Sequence, residues 1–204
     1  MNTIEYQYTL ARSKWSDIYQ HIDFLRHFAS KCESITECGV RSCVSSWAFL
    51  MGLLENSSLN KSLIGVDLFK SQEVSLVETC AKQNSILYTF IEGDDTKVEI
   101  PETDLLFIDT WHIYAHLKAE LNALSKKARK YIILHDTTVD AINGETIRNG
   151  WNAEEQSKSS GYAVEDIKKG IWPAIEEFLE QNSEEWLLHE RILFCNGLTI
   201  LKRR

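Results

Sequence analysis

Acidic residues recur in this sequence at the points where short apolar runs end. Glu37, Asp67, Asp94, Asp109 and Asp136 each stand at or just after a run with the composition of a buried strand. The carboxyl ends of parallel strands meet at one edge of a sheet, and ligands bind beyond that edge. Because like charges repel there, an acidic rim is expected to face a cationic or hydroxyl-rich ligand. The simpler alternative for any one of these acids is a helix cap.

Two of these acids, Asp109 and Asp136, follow consecutive apolar runs that should form neighbouring strands about 4.8 Å apart. Their carboxylates could then share one divalent cation, which lowers the pKa of a bound alcohol. His112 stands shortly after Asp109 and could take the proton near neutral pH. Other interpretations stay open, since both acids could anchor loops through backbone N–H groups and His112 could cap or stack.

The turn after the first predicted strand discriminates between cofactors. A dinucleotide needs the second glycine of GxGxxG so that the backbone can approach the pyrophosphate. Here Arg41 occupies that position and Cys43 follows it, which leaves only Gly39. S-adenosylmethionine has no phosphate but carries a sulfonium, an ammonium and a ribose diol, which suit an acidic rim. Asp67, thirty residues after Glu37, is placed to accept the ribose hydroxyls.

An alternation of strands and helices must position these residues. Five apolar runs predict strands at 35–40, 63–68, 85–91, 104–110 and 131–136. Helical patterns cover 45–54, 71–83, 113–127 and 168–181, and Ser16-Asp17 could cap a first helix that runs to about Cys32. Apolar runs 186–193 and 198–202 flank the hairpin signal Asn196-Gly197. The pattern indicates an α/β fold with a doubly wound, mostly parallel sheet and an antiparallel closing pair.

No linker divides the chain, so residues 1–204 are predicted to form a single domain with an N-terminal helical segment over 1–33. The polar stretch 138–167 directly follows a central strand. A long segment at such a place is expected to be a mobile lid over the site.

The charge, the apolar runs and the cysteines of the sequence exclude some partners and locations. The 22 Lys and Arg against 30 Asp and Glu give a net charge of -8, which argues against nucleic acid as a main partner. No apolar run approaches the roughly 20 residues of a membrane span. The five cysteines form no CxxC pair and are expected to be reduced thiols. The protein is therefore expected in the cytoplasm and away from membranes. The possibility that it forms a homo-oligomer stays open.

Four segments of the chain carry motifs: ITECGVRSCVSSWA at 35–48, LFIDTWH at 106–112, IILHDT at 132–137 and GIWPAI at 170–175. Together they resemble the class I S-adenosylmethionine-dependent methyltransferases. Within this class, the chain looks like the group of cephalosporin-hydroxylase-type proteins and macrolide-sugar O-methyltransferases. The resemblance spans about 35–203 and implies a seven-stranded Rossmann-like sheet in the order 3-2-1-4-5-7-6. The chain departs from the family at Cys43, where glycine is frequent.

The resemblance implies roles for the cofactor-binding residues. Glu37, Gly39 and Ser45 match positions that line the methionine side of S-adenosylmethionine in the family. Asp67 matches the position that holds the ribose, and Asp94 lies where the family contacts the adenine.

The resemblance also implies a metal site. In the metal-dependent members, the positions of Asp109, His135 and Asp136 bind Mg²⁺, and a histidine at the position of His112 is the base. Asp109 and His112 are therefore the expected catalytic residues. His135 replaces an acid, which favours a softer ion such as Mn²⁺ or Fe²⁺, and its alternative role is that of a hydrogen-bonded core histidine. His112 and His116 have a zinc-site spacing, but the Glu of HExxH is missing.

These features predict an O-methyltransferase that acts on a hydroxyl of a small molecule, with a sugar moiety favoured. One alternative is an NAD(P)-dependent short-chain-type reductase, since Tyr114 and Lys118 have the YxxxK spacing, although the glycine-rich turn is missing. The other is a non-catalytic partner subunit with a cofactor fold, which His135 and Cys43 leave open.

Overall fold

The computed structural model describes residues 3–204. Within them lie the strands β1 Ser34–Cys38, β2 Lys61–Asp67, β3 Ile86–Glu92, β4 Thr103–Ile108, β5 Ala128–His135, β6 Trp186–Ile192 and β7 Leu198–Arg203. They form one seven-stranded sheet in the order β3-β2-β1-β4-β5-β7-β6. β1 to β5 pair in parallel, whereas β7 is antiparallel to both β5 and β6. The predicted doubly wound α/β class and its strand order are confirmed.

Helices cover both faces of this sheet. They are α1 Ile4–Ser13, α2 Ile22–Ala29, α3 Val44–Glu55, α4 Val74–Gln83, α5 Tyr114–Leu124, α6 Glu145–Arg148, α7 Ala153–Ser160, α8 Val164–Lys168 and α9 Trp172–Gln181. Buried side chains of α1 to α4 share a core on one face, and those of α5 and α9 share a core on the other. In the part of the chain that the structure describes, no helix has both the length and the apolar character needed to cross a membrane.

The central strand β4 shows why the sheet needs helices on both sides. All six of its residues are buried, and successive side chains of a strand point to opposite faces. Leu105 and Phe107 belong to the core with α1 to α4, whereas Leu106 and Ile108 belong to the core with α5 and α9. Phe107 packs edge to face on Phe49 of α3, with ring centroids 5.2 Å apart. A strand that is apolar on both faces is thereby fully removed from water.

The N-terminal segment differs from its prediction. The helix expected to begin at Ser16-Asp17 begins instead with a 3-10 turn at Tyr19–His21, which leads into α2. Asp17 does not cap it, because the Asp17 carboxylate pairs with Arg41 at 3.1 Å. An additional helix, α1, was not predicted; the side chain of Thr3 caps it by accepting from the amide of Tyr6. Both helices pack on α3.

The helix predicted over 168–181 is present as α9, but it begins later, at Trp172. Lys168 belongs to the preceding helix α8, and a break at 169–171 separates the two. The break follows from close backbone packing, since a Cβ on Gly170 would lie 2.4 Å from the carbonyl oxygen of Asp140. The amide of Gly170 donates to Ile142 rather than continuing a helix. Pro173 occupies the first turn of α9, where its missing N–H costs nothing.

The stretch 138–167 is not an unstructured loop, because it contains α6, α7 and most of α8. Its two ends are held together, since Asn143 and Lys169 form an antiparallel bridge. It is also fixed to the region after β4, where the amide of Glu145 donates to the carbonyl of His112. One of these short helices, α7, has a side-chain cap, since Asn152 accepts from the amides of Glu154 and Glu155.

Candidate active site

Two adjoining cavities lie at the carboxyl edge of the sheet and share a wall that includes Gly39, Asp109 and Thr110. The smaller has a volume of about 360 Å³ and the larger about 710 Å³. Further residues of the smaller cavity are Asp17, Ile18, Ser45, His112, Asp136, Arg148 and Asn196. Further residues of the larger cavity are Asp67, Asp94, Asp95, Trp111, His116, Trp151 and Tyr162. Of the predicted site residues, all but Glu37 and His135 therefore border this pair of cavities.

Gly39 determines how closely β1 and β4 approach at their carboxyl ends. Its φ of +88° lies in the left-handed region, and a Cβ there would be 1.9 Å from the carbonyl oxygen of Asp109. The amide of Gly39 donates to Val66, and the amide of Asp109 donates to Cys38. A side chain does not fit between these backbones, so only glycine brings Asp109 beside the turn that leads into α3.

Asp109, His112 and Asp136 place one potential metal-ligand atom each within 4.8 Å of one another. Nε2 of His112 lies 3.1 Å from Oδ1 of Asp109, and Nδ1 of His112 lies 3.0 Å from Oδ2 of Asp136. Asp109 follows β4 and Asp136 follows β5, and these strands pair in parallel. Asp136 has a φ of 56°, an uncommon conformation of the kind that occurs at functional sites. The predicted juxtaposition of Asp109, His112 and Asp136 is therefore present.

The two carboxylates control the charge of His112. Burial by itself would lower the pKa of His112, but hydrogen bonds and charge from Asp109 and Asp136 outweigh burial and raise this pKa well above its usual value. Burial would raise the pKa of Asp109, yet the charge of His135 and hydrogen bonds from His112 and His135 hold it well below its usual value. The two carboxylates therefore favour the protonated form of His112.

His135 lies behind this cluster and is 1% exposed. Its Nδ1 is 3.2 Å from Oδ1 of Asp109 and 3.4 Å from Oδ1 of Asp136. The ring of His21 packs edge to face against it, with centroids 5.6 Å apart. His135 thus reaches the same two carboxylates that the sequence assigned to a metal, and its role as a ligand stays a prediction.

Glu37 and Ser45 are adjacent, but only Ser45 borders a cavity. Glu37 is completely buried and accepts hydrogen bonds from Ser45 Oγ and, at 2.6 Å, from Ser46 Oγ. Burial, opposed by these two hydrogen bonds, raises the pKa of Glu37 to about 8. Glu37 therefore supports the first turn of α3 from below, while Ser45 lines the smaller cavity.

Asp67 and Asp94 lie on the wall of the larger cavity and also hold their own loops in place. Oδ2 of Asp67 accepts from the amide of Arg41 at 2.8 Å. Oδ1 of Asp94 accepts from the amide of Thr96 at 3.0 Å, and its Oδ2 pairs with Lys97 at 2.6 Å. Both acids therefore anchor their own loops, and both also border the larger cavity.

Three site residues in the 138–167 stretch were not singled out by the sequence: Asp140, Glu145 and Arg148. Asp140 is fully buried and forms a bidentate pair with Arg148 at 2.7 and 2.8 Å. Carboxylate oxygens of Asp140 and Glu145 each lie 3.6 Å from Nδ1 of His112. The only available signal was the position of this polar stretch after β5, which indicated a lid but no individual residue.

Solved structures of other proteins share this architecture, although no protein-family model and no curated protein matches the chain. The SAH-bound Podospora anserina methyltransferase PaMTH1 aligns with a TM-score of 0.58 at 12% identity over 98% of this chain and 87% of that chain. A Bacillus cereus O-methyltransferase in complex with SAH aligns with a TM-score of 0.58 at 13% identity over 100% of this chain and 91% of that chain.

A third match is the mycinamycin-pathway methyltransferase MycE, solved with Mg, SAH and mycinamycin VI. It aligns with a TM-score of 0.54 at 15% identity over 91% of this chain and 49% of that chain. These likenesses show the fold, which is the Rossmann-like fold of class I S-adenosylmethionine-dependent methyltransferases, and the matching structures include an O-methyltransferase.

The buried Glu37 makes the stability of the protein depend on pH. Its pKa is about 8 in the fold against 4.5 ordinarily, so the folded state holds a proton that the unfolded state releases. The stability that Glu37 contributes is present below pH 4.5 and is lost as the pH rises through 8. Between these pH values, the free energy of unfolding of the unmodified protein should fall by up to about 1.4 kcal/mol per pH unit. We expect this fall to be absent in Glu37→Gln. Urea unfolding at several pH values measures this difference.

The exposed Glu99 supplies the matched control. Glu99→Gln is expected to retain the pH dependence of the unmodified protein. If Glu37→Gln and Glu99→Gln lose stability equally between pH 5 and 8, Glu37 is not the group that titrates.

Proposed function

We propose that this chain is an S-adenosylmethionine-dependent O-methyltransferase that acts on a hydroxyl of a small, hydroxyl-rich acceptor, with a sugar moiety favoured. The observation that carries the proposal is the cluster of Asp109, His112 and Asp136 on the wall of the smaller cavity. On a methyltransferase fold, this cluster combines a proton acceptor with carboxylates that can hold a cation beside an acceptor oxygen.

The composition of the larger cavity supports adenosine binding there. Asp67 and Asp94 offer carboxylate oxygens that accept from hydroxyl and amino groups, and Trp111, Trp151 and Tyr162 offer aromatic surface for a base. The Podospora anserina and Bacillus cereus structures contain SAH. We therefore assign the adenosine moiety to the larger cavity. The methionine end then points to the wall at Gly39, which both cavities share.

The residues of the cluster fit a divalent cation. Oδ1 of Asp136 is buried and has no hydrogen-bond partner among residues 3–204. Nδ1 of His112 faces carboxylate oxygens of Asp136, Asp140 and Glu145 at 3.0 to 3.6 Å, a concentration of negative charge that a cation would offset. We assign Asp109 and Asp136 to hold Mg²⁺ or Mn²⁺, which when bound lowers the pKa of an alcohol. MycE was solved with Mg.

His112 is the group that we assign to proton removal. The acceptor hydroxyl gives its proton to His112 as the new oxygen–carbon bond forms, and the carbon–sulfur bond breaks with its electron pair going to sulfur. The high pKa of His112 in the cluster means that it first needs positive charge to offset Asp109 and Asp136. Asp109 and Asp136 would hold a cation that supplies this positive charge. His135, the further predicted ligand, fixes Asp109 from behind through its Nδ1.

The smaller cavity supports a polar acceptor. Its wall carries the side chains of Asp17, Arg41, Glu145, Arg148 and Asn196. Such a wall offers both hydrogen-bond donors and acceptors, which suits a molecule with several hydroxyl groups better than an apolar one. This polarity, together with the family resemblance, favours a sugar moiety as the acceptor.

The reductase alternative receives no support from its own residues. The hydroxyl of Tyr114 donates to Glu177 at 2.8 Å, and Nζ of Lys118 donates to both Tyr114 and Glu177. These three side chains join α5 to α9, so the YxxxK spacing serves packing. The partner-subunit alternative predicts cofactor binding without turnover, which the experiments below distinguish.

Asp67 is expected to contribute to cofactor affinity. Isothermal titration should detect binding of S-adenosylmethionine and SAH but not NAD. Asp67→Ala should weaken binding by roughly 1.5–3 kcal/mol, the scale of a hydrogen bond to a charged group. Asp67→Asn is the matched control, because it keeps an acceptor for the amide of Arg41. Unchanged affinity in Asp67→Ala would count against the ribose assignment.

Asp109→Asn and Asp136→Asn are each expected to abolish methyl transfer, because both carboxylates are assigned to the cation. Binding of SAH should be largely retained, since the predicted cofactor residues follow β1 to β3. His112→Ala should reduce turnover by roughly 10²–10⁴. The assay follows SAH release with a panel of sugar-containing acceptors, with the exposed Glu165→Gln as control. Full turnover after chelation would refute the cation assignment.

The 138–167 stretch is proposed to act as a lid. Glu145 and Arg148 border the smaller cavity, and Trp151 and Tyr162 border the larger one. Hydrogen exchange of its amides is expected to slow when SAH binds, with little change in β4 and β5. Equal protection with and without SAH would contradict a lid that closes on the ligand.

A further inference from the structure

A second group of potential metal ligands lies between α5 and the loop after β3, apart from the proposed catalytic cluster. It consists of Asp95, His116 and Glu120, whose ligand atoms lie within 4.8 Å of one another. Nε2 of His116 lies 3.3 Å from Oδ1 of Asp95 and 3.9 Å from Oε1 of Glu120. His116 and Glu120 are one turn apart on α5, and Asp95 comes from the loop after β3.

The zinc-like spacing of His112 and His116 does not form a shared site. His112 precedes α5, which begins at Tyr114, so the two histidines do not lie on one helical face. His112 contacts Asp109 and Asp136, whereas His116 contacts Asp95. The residue that completes the second group is Glu120, one turn further along α5.

Only one of the two carboxylate oxygens of the buried Glu120 accepts a hydrogen bond among residues 3–204. Its side chain is fully buried, and Thr110 Oγ1 donates to its Oε1 at 2.6 Å. Its Oε2 is buried and has no hydrogen-bond partner among residues 3–204. A buried acceptor without a partner is costly, more so when it is ionised. An ion next to His116 and Asp95 would satisfy it.

The charges of the group are also unbalanced. Either a proton or a metal ion must compensate two carboxylates in so small a space. The group is accessible to an ion, since Asp95 and His116 border the larger cavity and their side chains are 8% and 14% exposed.

We propose that Asp95, His116 and Glu120 bind Zn²⁺. Imidazole nitrogen and carboxylate oxygen are both ligand types that Zn²⁺ takes in proteins. Asp95 and His116 border the larger cavity, so an ion can reach the group. Nδ1 of His116 lies 3.3 Å from the hydroxyl of Tyr162, which orients the ring. Such an ion would tie the loop after β3 to α5, on the wall of the cavity that we assign to adenosine.

The test uses the full chain freed of metal and titrated with ZnCl₂ by calorimetry. The background is Asp109→Asn/Asp136→Asn, which disables the other candidate cluster. We expect one Zn²⁺ per chain, and about 100-fold weaker binding when His116→Gln is added, the upper end of the loss seen when a site's supporting residues are changed. His189→Gln is the matched control, because His189 is an exposed histidine on β6. Co²⁺ should give visible absorption bands that depend on His116.

Zn²⁺ binding that disappears with Asp109→Asn/Asp136→Asn alone, or that is unaffected by His116→Gln, overturns the proposal. Crystals of the unmodified protein grown with ZnCl₂ provide a measurement that does not depend on variant folding. Anomalous scattering at the zinc edge should give a peak about 2.0–2.1 Å from Nε2 of His116. No peak there means that a proton, and not a metal, compensates Glu120.

Discussion

The contact between Gly39 and the backbone of Asp109 is the constraint on which the site depends. Parallel pairing places the ends of neighbouring strands at the same edge of the sheet. It does not by itself bring the two backbones into contact beyond their last paired residues. A Cβ at Gly39 would lie 1.9 Å from the carbonyl of Asp109, so the approach exists only because this residue has no side chain. Through it the turn before α3 and the residues after β4 form one wall, which both cavities use.

The second determinant of the site is an excess of buried negative charge. Asp109, Asp136 and Asp140 surround His112, and Asp95 and Glu120 surround His116. In each group the imidazole balances only part of the charge. Burial would favour neutral carboxyls, yet the pKa of Asp109 is held low because two histidines share its carboxylate. A buried group with such an excess of carboxylates destabilises the folded state unless it binds a cation.

How far the sequence predicts this structure depends on the range of the interactions. The five parallel strands were predictable because each contains an apolar run, which in β4 is buried on both faces. The closing hairpin was predictable because Asn196-Gly197 signals a turn, although the central residues of that turn are Cys195 and Asn196. The site residues after β4 and β5 were predictable for the same reason, since parallel pairing fixes which strand ends meet. Asp109 and Asp136 are neighbours by topology alone.

The features that were not predictable arise from contacts distant in sequence. Asp17 pairs with Arg41 instead of capping a helix, and Gly170 packs on the backbone of Asp140 instead of continuing one. The pairing of Asp140 with Arg148, and its approach to His112, depend on how the 138–167 stretch folds back. Local periodicity carries no information about such contacts.

The 138–167 stretch leaves the body of the protein and returns to it at nearly one point. The Asn143–Lys169 bridge and the hydrogen bond from Gly144 to Lys168 close it at its base. The entropy of closing a loop grows slowly with its length, by about 0.6 kcal/mol per doubling. Residues between these closing contacts can therefore be lengthened, shortened or exchanged without altering the strand pairing below. The 138–167 stretch contributes part of the wall of each cavity. The sequence and length of that part can therefore change while the sheet and its acidic edge stay the same.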